Sequence, residues 1–75
     1  MGRSDIVIKD RKHRIAAVLE AKISDSAESM PDDCEKALHQ IAEKKYSQKI
    51  TADGFKKVIS YGIAFYKKDC LVKIM

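Results

Sequence analysis

Short apolar segments separated by polar turns set the pattern of this chain. Ile6, Val7 and Ile8 form a β-branched run between Asp5 and Lys9, which predicts a strand over residues 5–9. The polar stretch Asp10-Arg11-Lys12-His13 then serves as a hairpin turn, and residues 14–23 form a second strand. That strand is apolar at both odd and even positions (Ile15, Ala16, Ala17, Val18, Leu19), which predicts a central strand covered on both faces. Ser24 to Ser29 reads as a loop.

From Met30 the period changes. Pro31 suits the first helical position, Ser29 or Met30 falls at the cap, and Asp32, Asp33 and Glu35 complement the positive end of a helix. Cys34, Leu38, Ile41, Ala42 and Lys45 recur at helical spacing, with Ala37 widening the stripe, so a helix is expected to about Ser47 or Gln48. Thr51-Ala52-Asp53-Gly54 has the chemistry of a turn. Residues 57–66 form a third strand, Lys67-Lys68-Asp69 a turn, and residues 70–74 a fourth strand.

The order is therefore β-β-α-β-β, an α+β fold with one helix on a mixed four-stranded sheet, in a single domain over residues 1–75. One helix covers one face of such a sheet. The other face is also apolar, and a second copy of the chain or a segment of a longer parent protein is expected to cover it.

With 75 residues, one core has to supply the stability, and such small cores are often helped by staples or partners. No apolar run reaches membrane-spanning length, and no apolar signal core follows Met1-Gly2-Arg3-Ser4-Asp5, so a cytoplasmic protein is expected. Cys34 and Cys70 are read as two buried free thiols. Neither they nor His13 and His39 have zinc-ligand spacing. The net charge of +4 is compatible with a nucleic-acid partner without requiring one. Its distribution is uneven, with acids gathered over residues 25–35 and lysines dominating from Lys36 onward. An acidic first turn and a basic last turn of the helix account for part of this. Lys56, Lys57, Lys67 and Lys68 fall outside the helix, on a solvated rim or a phosphate-facing surface.

The candidate chemistry lies in the first hairpin. Glu20 and Lys22 are two apart and share a face of their strand. If the turn leaves Lys9 opposite Arg14, Asp5 is a diagonal neighbour of Glu20; if Asp10 stands opposite Ile15, Asp5 faces Glu20 directly. Either register puts Asp5 on the Glu20 and Lys22 face, whereas a slip of one residue removes it. Two carboxylates at these spacings can hold a divalent cation such as Mg2+ or Mn2+, with the Ala21 carbonyl as a third oxygen ligand, and Lys22 beside them can orient a water or offset developing charge.

Gly2-Arg3-Ser4-Asp5-Ile-Val-Ile, then Val18-Leu19-Glu20-Ala21-Lys22-Ile23, then Gln40 to Tyr46, resembles the PD-(D/E)-x-K nuclease superfamily. The nearest likeness is to the nuclease-like domain that follows an AAA-ATPase-like module in many bacterial proteins. In that family a helix ending in Lys-Lys-Tyr is followed by a strand similar to Tyr61-Gly62-Ile63-Ala64-Phe65. The resemblance implies a restriction-endonuclease-like core, Asp5 and Glu20 as metal ligands, Lys22 as the catalytic lysine and Gln40 reaching toward the site. It implies hydrolysis of DNA phosphodiesters, with RNA as the other polymer of that chemistry, or an inactive scaffold that binds nucleic acid or dimerises. Related exonuclease-type members carry a tyrosine four residues beyond the glutamine, whereas Tyr46 lies six beyond Gln40 and is read as helix-end packing. Gly2 and Arg3 are candidates for a turn and a phosphate contact. The superfamily core usually opens with a further helix and strand, so this chain resembles a truncated version that completes its sheet by dimerising or within a longer parent. Tyr61, Phe65 and Tyr66 are expected in core or dimer packing, with stacking on bases the alternative for one or two of them, and Gly62 at a bulge or a close backbone approach.

Overall fold

The computed structural model describes the backbone of residues 4–75 and the side chains from residue 6 onward. Gly2 and Arg3 lie outside the described residues. The elements are β1 (Ser4–Asp10), β2 (Ile15–Ile23), α1 (Met30–Glu43), α2 (Tyr46–Ala52), β3 (Lys57–Tyr66) and β4 (Asp69–Ile74). They form one mixed sheet in the order β1-β2-β3-β4, antiparallel at both edges and parallel between β2 and β3. The α+β class and the order of strands around the helical segment are as the periodicity predicts.

Strand pairing follows from the two hairpins and the helical crossover. The first hairpin closes through Arg14, whose φ of 58° lies in the left-handed region, and the second through Lys67 at 55°. The parallel β2–β3 pair needs a long connection, which α1 and α2 provide. Met30, Cys34, Ala37, Leu38 and Ile41 form the buried stripe of α1. Ala42 and Lys45, assigned to that stripe by spacing, are exposed. Asp32 and Asp33 lie in the first turn as expected, but the last turn of α1 carries no base. Ser29 is the N-cap, yet its hydroxyl donates to the Ser26 carbonyl at 3.0 Å rather than capping the helix.

Two helices replace the single one predicted. Lys45 adopts φ 58°, ψ 34°, a left-handed conformation that ends α1 and reorients the chain. The change of direction brings Ile50, 4% exposed, and Tyr46 into a cluster with Ala16, Val18, Leu38, Ile41, Phe55 and Val58. A second cluster of Met30, Cys34 and Ala64 takes in Tyr66 and Leu71.

The helices cover the face of β2 that carries Ala16, Val18 and Glu20, all buried. The expectation that β2 is covered on both faces is not met within one chain. On the opposite face Ile6, Ile8, Ile23, Phe65, Val72 and Ile74 are exposed. Both cysteines are free, and Cys70 is exposed, which corrects its reading as a buried thiol.

Candidate active site

Alternation along β2 sends residues 16, 18, 20 and 22 to the helix side. There Glu20 and Lys22 follow the apolar Ala16 and Val18. The β1–β2 register sets Asp10 opposite Ile15, so the backbone at Asp5 stands directly across from Glu20. Of the two registers, the one in which Asp5 faces Glu20 directly is therefore the one formed. Across β3 and β4 the same row continues through Gly62 and Lys73. Ala21, the candidate carbonyl ligand, lies between Ser4 and Ile63 in the sheet.

Glu20 has no exposed surface at all, which is unusual for an acid and demands compensation by partners. The C-terminal half of α1 provides it. Lys44 Nζ lies 3.3 Å from Glu20 Oε1. The Gln40 amide, oriented with its nitrogen toward the carboxylate, donates to Glu20 Oε2, and its oxygen accepts from Lys22 Nζ at 3.3 Å. Gln40 thereby ties the glutamate and the lysine of the Glu-x-Lys strand into one network. Gln40 and Lys44 are four residues apart, one turn of helix, so both reach the same patch of sheet.

The row of Glu20 and Gly62 falls between the two apolar clusters, with Val18 and Ser60 on one side and Lys22 and Ala64 on the other. The site is thus a polar seam through the core. Gly62 makes the seam narrow: a Cβ there would collide with the Cys34 carbonyl oxygen and come within 2.9 Å of Leu38 Cγ. The close-approach alternative for this glycine is the one realised.

The donor set suits a hard divalent cation in kind. Glu20 supplies carboxylate oxygen, a second acid occupies the facing position 5, and magnesium is commonly held through one or two carboxylates. Among the described residues no group of three or more His, Cys, Asp or Glu side chains gathers around a point.

Beside the seam, on the same face, a cleft of about 710 Å3 is lined by Val7, Lys9, Tyr46, Lys49, Ile50 and Asp53. Val7 lies two residues beyond Asp5 on β1, and Tyr46 two residues beyond Lys44. Tyr46, expected as helix-end packing, begins α2 and is half-buried against the core, with the Lys44 ammonium 6.0 Å from its ring centroid. Lys9 and Arg11 form ion pairs with Asp53 at 3.6 and 3.5 Å and lie over the Phe55 ring. Lys56, Lys57, Lys67 and Lys68 are exposed, and Tyr61 lies on the face away from the helices. His13 bonds Asp10 within the first turn at 2.8 Å.

Lys44 is not among the site residues expected from the sequence, where it is one of many lysines after Lys36. The usable signal was its position one turn beyond Gln40.

A family model described as the PD-(D/E)XK nuclease superfamily matches residues 1–74, and the chain belongs to that superfamily. No curated protein and no solved structure matches the chain.

Proposed function

We propose, from the chain's membership of the PD-(D/E)XK nuclease superfamily, that it is a metal-dependent nuclease domain that hydrolyses DNA phosphodiester bonds, RNA being the alternative polymer. The observation that carries this reading is the bridge by which Gln40 couples Glu20 to Lys22. A solvated Glu-x-Lys pair has no need of a buried acid and a shared amide partner; a site that must hold both groups in fixed relation does.

In this reading Asp5, Glu20 and the Ala21 carbonyl hold Mg2+ or Mn2+. When bound, such an ion polarises the phosphate and makes its water a stronger nucleophile. The remaining work belongs to side chains. Lys22 directs a proton-donating ammonium at the reacting phosphate or the attacking water, where it offsets developing negative charge. Gln40 fixes the position of Lys22 and of the carboxylate together. Lys9 and Lys49, on the neighbouring cleft, track the phosphate backbone, and Tyr46 presents a ring beside it.

The exposed apolar sheet face supports a setting in which the domain works as a homodimer or as part of a longer parent protein. Likeness to the domain that follows an AAA-ATPase-like module supports the second arrangement. Among the described residues no helix is long and apolar enough to cross a membrane, and we place the activity in the cytoplasm.

Plasmid cleavage that requires magnesium, and that Lys22→Ala and Glu20→Ala each abolish, is the expected result. Salt-dependent DNA binding without cleavage would favour the second reading, a catalytically silent scaffold. That reading draws support from Glu20 already having a partner on each carboxylate oxygen.

A further inference from the structure

We propose that Lys44 is a built-in competitor of the divalent cation: its ammonium holds Glu20 Oε1 until the ion takes that oxygen, so Lys44 sets the metal affinity of the site. The inference rests on the reading of Glu20 as a metal ligand.

Four observations carry it. The Glu20 carboxylate is completely enclosed and cannot turn to solvent to meet an ion elsewhere. Its Oε2 accepts from Gln40, a neutral donor that also holds Lys22, while its Oε1 meets the cationic Lys44 at 3.3 Å. The Lys44 side chain is 32% exposed against 0% for Glu20, so of the two partners the lysine is the one able to withdraw. Its backbone is the C-cap of α1, next to the left-handed Lys45, at the end of the helix rather than inside it.

The physics is a competition of charges. An ammonium and a divalent ion on the same carboxylate oxygen repel strongly at the separation that sharing enforces, the more so away from bulk water. Without an ion, the lysine beside the buried carboxylate offsets part of the cost of enclosing its charge. With one, the lysine becomes the unfavourable neighbour. Lys44 is therefore a positioning residue, acting through Glu20 and holding the carboxylate in place before loading. Its withdrawal is the step that loading must drive, and this step lowers the apparent affinity.

The test is a calorimetric titration of the folded chain with Mn2+ alone, using wild type, Lys44→Met, Lys44→Gln and Lys44→Arg. Circular dichroism checks each fold first. Tighter binding by about tenfold is expected for the two neutral variants, and affinity near wild type for Lys44→Arg. A purely structural role for Lys44 would weaken binding in all three. Equal or weaker binding in the neutral variants, with wild type binding Mn2+ and Glu20→Gln failing to bind it, overturns this inference and leaves the metal reading intact. Failure of wild type and every variant to bind overturns both. A measurement on wild type alone guards against misfolded variants. The Lys44 ammonium signal in nitrogen-detected NMR should shift and lose exchange protection on saturation with Mg2+, and an unchanged signal at saturation overturns the proposal.

Discussion

Gly62 stands beside Glu20 in the parallel β2–β3 register, and the α1 backbone at Cys34 occupies the space that a side chain on Gly62 would need. The absent side chain is what lets the helix descend far enough for Gln40 and Lys44 to reach a carboxylate on the floor of the sheet. Gly62→Ala is expected to cost about 1–3 kcal/mol, because the obstruction is backbone and cannot rotate away. Urea unfolding measures this, and an unchanged midpoint would show that α1 does not press on β3. Cleavage should fall further than stability alone explains, since lifting α1 separates Gln40 from both of its partners.

Gln40→Ala removes the donor to Glu20 Oε2 and the acceptor of Lys22 in one step. Stability is expected to drop by about 1–3 kcal/mol, the usual cost of leaving a buried polar atom without its partner. Cleavage should fall by about 10–100-fold, in line with other groups that orient metal ligands. Gln40→Glu is expected to be worse for folding, because it sets a second acid against a buried carboxylate. Comparing the two variants by cleavage rate and unfolding midpoint separates orientation from charge.

The strands, the first hairpin to within two registers and the start of α1 were legible in the sequence because alternation, β-branching and Pro31 all act locally. The break at Lys45 was not. Tyr46 to Ile50 continues a helical spacing with no glycine or proline, yet Lys45 takes a left-handed conformation beyond which Ile50 and Tyr46 join the cluster that holds Phe55 and Val58. Tertiary contact outweighed local propensity there. Of the candidate site, Glu20, Lys22 and Gln40 could be named from spacing and resemblance. Lys44 could not, because its role depends on how far the helix sinks onto the sheet, and that depth is set by Gly62, forty-two positions from Glu20 in sequence but adjacent in space.

Lys73 and Glu35 tie β4 to α1 through a 2.9 Å ion pair. Hydrogen bonding to Lys73, with its positive charge, holds the Glu35 carboxyl below its ordinary value of 4.5. The bond to Glu35 raises Lys73 above its ordinary 10.5. A depressed acid stabilises the fold above its unfolded pKa and loses that contribution as pH falls through the folded one. A raised base stabilises below its unfolded pKa and loses it as pH rises through the folded one. The stability difference between wild type and Lys73→Met should therefore be greatest between these limits and shrink toward both. The effect should be small, because both side chains are substantially solvent-exposed and salt screens them. Thermal melts across pH and ionic strength check it, and a difference that grows on acidification would refute the pairing.

Cys34 and Cys70 should differ sharply in reactivity. Cys34 is buried, its Sγ donates to the Leu71 carbonyl at 3.2 Å, and burial pushes its thiol above the ordinary value, which suppresses the reactive thiolate. Cys70 is exposed on β4. One equivalent of thiol should react with a chromogenic disulfide in the native state and two after denaturation. Cys70→Ser should abolish the native fraction. Two fast-reacting native thiols would mean that α1 does not seal Cys34 against β4.

The uncovered sheet face is the last consequence to test. Ile6 and Ile8 on β1, Phe65 on β3 and Val72 and Ile74 on β4 lie on the side away from both helices. Isolated apolar residues on a surface need no partner, but a face that runs across the edge and central strands of one sheet forms a contiguous patch. The isolated chain is expected to associate with a second copy through it, giving a concentration-dependent dimer in sedimentation velocity. Ile8→Lys and Val72→Lys point charge into that face without touching the Glu20 seam, and each should shift the chain toward monomer while leaving its far-ultraviolet circular dichroism intact. A monomer at all concentrations would transfer the covering role to a segment of a longer parent. Dimers that survive both lysines would place the contact on another surface.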